Sequence, residues 1–267
     1  MSCKKGCRTA VLKFGGASVA TPAHFALAAK IVLVRAAKFD RLVVVVSAMG
    51  DTTDHLIALA EEVSPSPPQR EKDMLVSVGE RISGALLAMA IDRAGGRAIS
   101  LTGSQAGMIT TSDHSNARII DVQPFRIEKW LDQKMVVVIA GFQGVSLEKE
   151  VTTLGRGGSD ISAVALGAAL GAEQVEFYKD VPGIYLKDPK RFPVGEPISR
   201  LSYNEAIAIA REGGVLEVRS VILAQRNHLP LHIYAHDAPF SAPGTVIGAP
   251  GSASAALPIY EEAYVGK

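Results

Sequence analysis

The run Thr152–Ser162, T-T-L-G-R-G-G-S-D-I-S, gathers more potential chemistry than any other stretch of the sequence. Gly155, Gly157 and Gly158 surround Arg156, and Ser159 is placed to cap a helix whose first turn carries Asp160. A structural turn needs one glycine. Three around an arginine let the backbone come close to a ligand. Amides at a helix N-terminus attract anions, and a guanidinium grips a carboxylate or phosphate through two parallel bonds. The run therefore reads as an anion site, with Asp160 able to orient lysines or metal-bound water.

Three further segments carry chemistry at the ends of apolar runs. Lys13-Phe-Gly-Gly-Ala-Ser18 offers an anion nest at Gly15 and Gly16 beside one positive charge, or simply a tight turn with a solvated lysine. Ser47–Thr53 places hydroxyls and a glycine after a β-branched run, as an ordinary strand-to-helix loop also would. Tyr178–Tyr185, continuing to Asp188-Pro-Lys190, offers Lys179, Asp180, a Pro-Gly turn and an aromatic ring that could hold a nucleotide or form a packed turn. The sequence contains no G-x4-G-K-[ST], G-x-G-x-x-G, G-x-S-x-G or H-E-x-x-H pattern, so the usual signals for P-loop, dinucleotide, serine-hydrolase and zinc chemistry are missing. His232 and His236, and the C-x3-C pair Cys3 and Cys7, make poor metal sites, and no metal ligands are assigned.

These segments must be held by an alternation of strands and helices. Strands are expected at Val11–Phe14, Leu42–Val46, Arg97–Leu101, Met135–Ala140, Gln174–Tyr178, Leu231–Tyr234 and Thr245–Ile247. Helices are expected from Pro22 to Ala37 after the cap Thr21, from Asp51 or Thr52 to Val63, and as one long run Arg70–Ala94. Others are expected at Pro124–Asp132, from Ser159 to Leu170, after the capping box Ser202–Glu205, and at Val215–Asn227. Such alternation implies an α/β fold with a mainly parallel sheet covered on both faces, whose ligands sit beyond the carboxyl ends of the strands. After Gly248 a tail rich in Gly, Ala, Ser and Pro is expected to be loosely held.

The 267 residues suffice for a sizeable core, and a net charge of +1 with no basic run argues against a nucleic-acid binder. No apolar run approaches the roughly 18 residues of a membrane span, and the N-terminus lacks the pattern of a signal peptide. A cytoplasmic protein without membrane partners is the expectation.

In their order, these segments resemble the catalytic domain of aspartate kinases of the amino acid kinase family, most closely the actinobacterial form. The resemblance rests on Lys13–Val19, Val46–Thr53, Gly79–Ser83, Gly103–Gly107, Gly141–Gly144 and Thr152–Asp160, and covers residues 8–248. It implies an amino acid kinase (carbamate kinase-like) fold, an eight-stranded, mainly parallel sheet between helical layers. Residues 1–248 would form the catalytic domain, with an amino-acid-binding N-lobe and a nucleotide-binding C-lobe from about residue 150; residues 249–267 would be a tail. It implies MgATP and L-aspartate as substrates and a homodimer, or pairing with a separate regulatory subunit. Lys13 and Asp160 would serve the reaction centre. Ser47, Thr53, Glu80, Phe142 through its backbone, Arg156 and Ser159 would surround the amino acid. Lys13, Gly15, Gly16, Ser18, Lys179, Asp180, Tyr185 and Lys190 would hold the nucleotide.

Three departures from the family pattern stand out. Gly214 occupies the place of a lysine that meets nucleotide phosphates, Lys190 replaces an arginine, and Lys179 replaces a small hydroxyl residue, which would restore a lost charge. The paired ACT domains that bind feedback inhibitors are not part of the sequence, so in-chain ACT control is not expected. The alternatives are a kinase of a related amino acid or carboxylate, and a catalytically weak ligand-binding homologue.

Overall fold

The computed structural model describes residues 7–185, 196–238, 243–249 and 257–261. Cys3, Asp188 and Lys190 lie outside the described residues. In chain order the elements are β1 (Thr9–Phe14), a 3-10 turn (Gly16–Val19), α1 (Pro22–Ala36), β2 (Arg41–Val46), α2 (Thr52–Val63), α3 (Gln69–Val76), α4 (Val78–Arg93), β3 (Ala98–Leu101), β4 (Met108–Thr110), β5 (Ile119–Val122), α5 (Phe125–Leu131), β6 (Val136–Ala140), β7 (Gln143–Ser146), β8 (Val151–Thr153), α6 (Gly158–Ala169), β9 (Gln174–Lys179), β10 (Arg200–Leu201), α7 (Tyr203–Arg211), α8 (Val218–Arg226), β11 (Leu231–Ala235) and β12 (Thr245–Ile247).

The continuous apolar runs become strands buried on both faces, as parallel sheets require. They form an eight-stranded sheet in the order β10-β12-β11-β9-β1-β2-β6-β3, with only the β11–β12 pair antiparallel. Side chains alternate between the two faces. Val11, Val43, Val45, Val137, Ile139 and Phe177 pack on the α6 side, whereas Leu12, Phe14, Val44, Val46, Val138 and Tyr178 pack on the α1 and α4 side. The same alternation assigns Lys13 and Lys179 to the α6 side. On the opposite side, Glu176 is fully buried and pairs with Arg35 at 2.8 Å, while the Tyr178 hydroxyl donates to the same carboxylate. Burial and the nearby charge of Glu176 push the Tyr178 phenol well above its usual range.

The structure differs from the sequence expectations at several elements. A second sheet, β5-β4-β7-β8, was not expected. Its strands have three or four residues, too few for a clear alternation. The helix expected over Arg70–Ala94 is two, broken at Ser77, whose hydroxyl donates to Met74 O. By length and composition alone Gln69–Arg93 could cross a membrane, contrary to the absence of such a run read from the sequence. Here it is two helices, and α4 packs its buried residues Leu87 and Ile91 into the core beside β3 and β6. The last long helix begins at Val218 and ends at Arg226, three residues later and one earlier than expected. Asp51 precedes α2 without a side-chain capping bond. Thr21 and the Ser202–Glu205 box do cap their helices.

Candidate active site

Four central strands, β9, β1, β2 and β6, run parallel and release their chains at one edge. The turns that follow them converge on the N-terminus of α6. That terminus differs from the expected one: the cap is Gly157, at φ +67°, and not Ser159. A side chain at Gly157 would collide with Glu217, its Cβ falling 2.5 Å from that of Glu217, so only glycine fits this turn. Freed from capping, the Ser159 hydroxyl meets the Ser47 hydroxyl at 2.7 Å and ties β2 to α6. Gly141 permits this closeness, since a Cβ there would lie 2.8 Å from Ser159 Cβ. Phe142 takes φ +69°, an uncommon conformation for a bulky residue. It is pinned by its N–H donating to Ser162 Oγ at 3.0 Å and its carbonyl accepting from Leu154 N at 2.9 Å.

One turn into α6, Asp160 faces the sheet and meets two ammonium groups. Lys13 Nζ lies 2.6 Å from Asp160 Oδ1, and Lys179 Nζ lies 2.8 Å from Oδ2. Lys13 and Asp160 are buried, and Lys179 is nearly so. Burial alone would raise the Asp160 carboxyl, yet the two lysine charges hold it at about 2. Burial lowers the Lys13 ammonium to about 8; Asp160 opposes this and the like charge of Lys179 adds to it. The Lys179 carbonyl in turn accepts from the His236 N–H at 2.8 Å, which fixes the end of β9 against the chain leaving β11.

Beside this cluster opens a cavity of about 510 Å³. Of the residues expected at the amino-acid side, Ser47, Thr53, Glu80, Phe142, Arg156 and Ser159 all line it, as does Gly16. Glu80 is buried, and one carboxylate oxygen accepts from Ala48 N at 3.0 Å. The other, Oε2, is buried with no partner. Burial pushes the Glu80 carboxyl up to about 7, against the pull of backbone N–H bonds and of Lys13. Arg156 lines the same cavity and is exposed. Gly16 is needed where it stands, since a Cβ would come within 3.2 Å of the Ala48 and Gly50 carbonyls. Lys13 Nζ is close beneath the neighbouring Gly15, 3.8 Å from where its Cβ would be.

The remaining expected residues take other places. The Ser18 hydroxyl donates to Tyr178 O at 2.9 Å and joins the first turn to β9. Asp180 is exposed at the end of β9, and Tyr185 is half-buried beyond the next turn; neither lines the cavity. Gly214 follows α7, where an added Cβ would press on the backbone of Ile209 and Ala210 at 3.1 Å.

Sequence reasoning missed Lys72 and Ser115, which also line the cavity, and Asp73 beneath them. Asp73 is fully buried and accepts bonds from Ser115 N, Thr153 N, Thr153 Oγ1 and His114 Nδ1. It joins α3 to the loop before β5 and to β8. Nothing in the polar run Gln69-Arg-Glu-Lys-Asp73 sets this carboxylate apart, and it stays buried because it is fully hydrogen-bonded by groups distant in the chain.

A profile of the amino acid kinase family matches residues 8–235. The aspartokinase of Mycolicibacterium smegmatis is 49% identical over 239 residues, covering 89% of this chain and 56% of that protein. Among solved structures, aspartate kinase from Synechocystis superposes with a TM-score of 0.79 at 40% identity, over 94% of this chain and 41% of that one. E. coli aspartokinase III in complex with aspartate and ADP gives 0.82 at 26% identity, over 91% and 65% of the two chains. The chain thus spans about half the length of the curated relatives it matches.

Proposed function

The chain belongs to the amino acid kinase family, and on that premise we propose that it transfers the γ-phosphoryl group of ATP to the side-chain carboxylate of L-aspartate, giving 4-phospho-L-aspartate and ADP. One observation carries the reading. A single cavity is lined both by Glu80, whose buried carboxylate oxygen has no partner, and by Arg156, beside the ammonium groups of Lys13 and Lys179. That is the complement of an α-amino acid presented to a polyphosphate. Relatives named aspartokinase, one solved with aspartate and ADP, support the choice of substrates.

In this reading Glu80 Oε2 accepts from the substrate ammonium and Arg156 grips the α-carboxylate. The backbone at Phe142 and the hydroxyls of Ser47, Thr53 and Ser159 fix its orientation. The reacting carboxylate has an ordinary pKa near 4 and is already ionised, so no protein base is required. Its oxygen forms the new bond to the γ-phosphorus as the bond to the bridging oxygen of ADP breaks. The difficulty is to bring anions together, which calls for positioning and positive charge. Lys13 and Lys179 supply that charge, and Asp160 holds both ammonium groups on one side of the site. Gly15 and Gly16 let the backbone approach the phosphates; Asp180 and Tyr185 stand on the nucleotide side. Lys179 thereby makes up for the charge missing at Gly214. Among the described residues no three His, Cys, Asp or Glu side chains converge. Mg²⁺ would enter with the nucleotide as MgATP and neutralise part of the phosphate charge.

The direct test is aspartate-dependent release of ADP, with the acyl phosphate trapped by hydroxylamine. No hydroxamate from millimolar aspartate and MgATP would reject the reading. A second acceptor class is favoured by Lys72, a cavity-lining cation with no ion pair among the described residues. An acceptor with one more anionic group would use it, and a panel of amino dicarboxylic and tricarboxylic acids decides between them. As assembly we propose a homodimer, supported by the exposed apolar row Val78, Ile82, Leu86 and Met89 on α4. A monomeric mass in light scattering at micromolar concentration would remove that part.

The two displaced pKa values give a prediction. With Glu80 at about 7 and Lys13 at about 8, kcat/KM for aspartate should rise as Glu80 loses its proton and fall as Lys13 loses its own. A narrow maximum between these values is expected, because kcat/KM reports the free enzyme. Glu80→Gln should remove the acid limb and leave the alkaline one. A profile flat across this range would exclude both assignments.

A further inference from the structure

The segment Leu257–Glu261, expected from the sequence to be part of a loose tail, is bound on two sides. Asn227 and Ile259 exchange two hydrogen bonds: Asn227 Nδ2 donates to Ile259 O at 2.8 Å, and Ile259 N donates to Asn227 Oδ1 at 2.9 Å. Glu261 pairs its backbone N–H with Ile119 O at 3.1 Å and accepts from Ile119 N at 3.0 Å. Its carboxylate then meets Arg219 of α8 in a two-bond fork, Nε to Oε1 at 2.7 Å and Nη2 to Oε2 at 3.0 Å.

The rest of the Arg219 guanidinium bonds residues that adjoin or closely follow the cavity-lining Ser115, Thr153 and Gly155 in the chain. Nη1 donates to Leu154 O at 2.7 Å and, more weakly, to Asn116 Oδ1 at 3.4 Å; Nη2 donates to Ala117 O at 2.9 Å. Leu154 is the residue before Gly155 and Arg156. Gly155, at φ +75°, faces the same loop, with Ser115 O 3.1 Å and Asn116 Oδ1 3.3 Å from where its Cβ would lie. Arg156 is exposed, and within the glycine loop the anchored groups are its neighbours. The direction of its side chain is thus set by the backbone on either side, Leu154 before it and Gly157 and Gly158 after it.

We propose that Arg219 is a positioning residue for Arg156, and that Glu261 sets it, so that the segment 257–261 governs how the site grips the α-carboxylate of its amino-acid substrate. The proposal rests on the function proposed above for the acceptor side of the cavity. A guanidinium whose five donors are shared between a carboxylate and three loop groups holds them in one plane, which a lysine cannot do. Without Glu261, Arg219 loses two of these bonds and is free to leave Leu154.

The test uses the full chain with Glu261→Ala, Glu261→Asp and Arg219→Lys. Two readouts are taken well below the melting temperature: steady-state kinetics, and amide hydrogen exchange in residues 153–158. Glu261→Ala should raise the KM for aspartate about tenfold, the size expected for coupling through packed neighbours. The KM for ATP should stay within about twofold and kcat within about threefold, the signature of lost acceptor binding. Exchange at residues 153–158 should quicken, Arg219→Lys should behave like Glu261→Ala, and Glu261→Asp should recover part of the affinity. Unchanged exchange in that loop overturns the proposal, as does a loss in which both KM values rise together in step with a falling melting temperature. If the unaltered chain does not phosphorylate aspartate, the functional reading fails and the exchange result alone decides the coupling.

Discussion

Lys13→Met is expected to lower kcat for phosphoryl transfer about a thousandfold, the upper end of what removing one preorganised charge costs in a water-poor site. Methionine matches the length of the buried stem, so the strand keeps its packing and the loss falls on the charge. Lys13 is the cation closest beneath the Gly15 turn, and it is held against Asp160 at 2.6 Å. With the ammonium gone, Asp160 keeps Lys179 at 2.8 Å. The carboxylate thus remains paired while the site loses one positive charge toward the phosphates. ATP should still bind, since its base and ribose do not meet Lys13 in this reading. The comparison is kcat by coupled ADP release beside nucleotide affinity by calorimetry. A fall of less than tenfold would take Lys13 out of the reaction centre.

Asp160→Asn should affect rate and stability together. Removing one partner from a buried ionic cluster costs about 3 kcal/mol or more, because charges are left uncompensated. Here two ammonium groups would face each other across a neutral amide. The charged form of Lys13, already lowered to about 8, would be disfavoured further. The alkaline limb of the rate profile should therefore move to lower pH, and kcat should fall about a hundredfold or more as the cations lose their fixed geometry. Stability carries a sign that can be checked. In the unaltered chain the Asp160–Lys13 attraction is present while Lys13 is protonated and fades as pH rises through about 8. The destabilisation caused by Asp160→Asn should consequently be larger at about pH 6 than at about pH 9 in urea unfolding. Equal losses at the two values would mean that Asp160 acts through packing and not through charge.

Much of the site was legible because parallel sheets announce themselves. The apolar runs ending at Phe14, Val46, Ala140 and Tyr178 gave the four central strands, and the chemistry lay in the turns just after them. Alternation along β1 and β9 carries more than was taken from it: Val11 and Phe177 face α6, so Lys13 and Lys179 must share that face and meet whatever the first turn of α6 presents. Strand parity alone thus places Lys179 beside Asp160, at 2.8 Å. The second sheet was not legible, since a three-residue strand such as Met108–Thr110 shows no pattern of its own and is joined to β7 from far along the chain, Ile109 opposite Val145. Ser159 shows a different limit. It has a good capping side chain, but the left-handed turn at Gly157 starts the helix earlier and leaves its hydroxyl for Ser47. Asp73 and the Arg219–Glu261 fork escaped because nothing local marks a side chain whose partners come from three separate loops.

The position of β1 has a consequence for how the molecule comes into being. It lies between β2, which follows closely in the chain, and β9, which emerges much later. A chain growing from the ribosome can pair Val11 with Val43 early, but the far edge of β1 stays open until Val175 arrives. Pairings of such long sequence separation form slowly, because the intervening loop must be closed before they return any energy. Lys13 accordingly spends the early part of synthesis without Asp160 or Lys179, and the reaction centre is completed only as the middle of the sheet is sealed. Recovery of activity during refolding should therefore follow the docking of β9, and a chain with native-like helices but an unsealed sheet would be inactive.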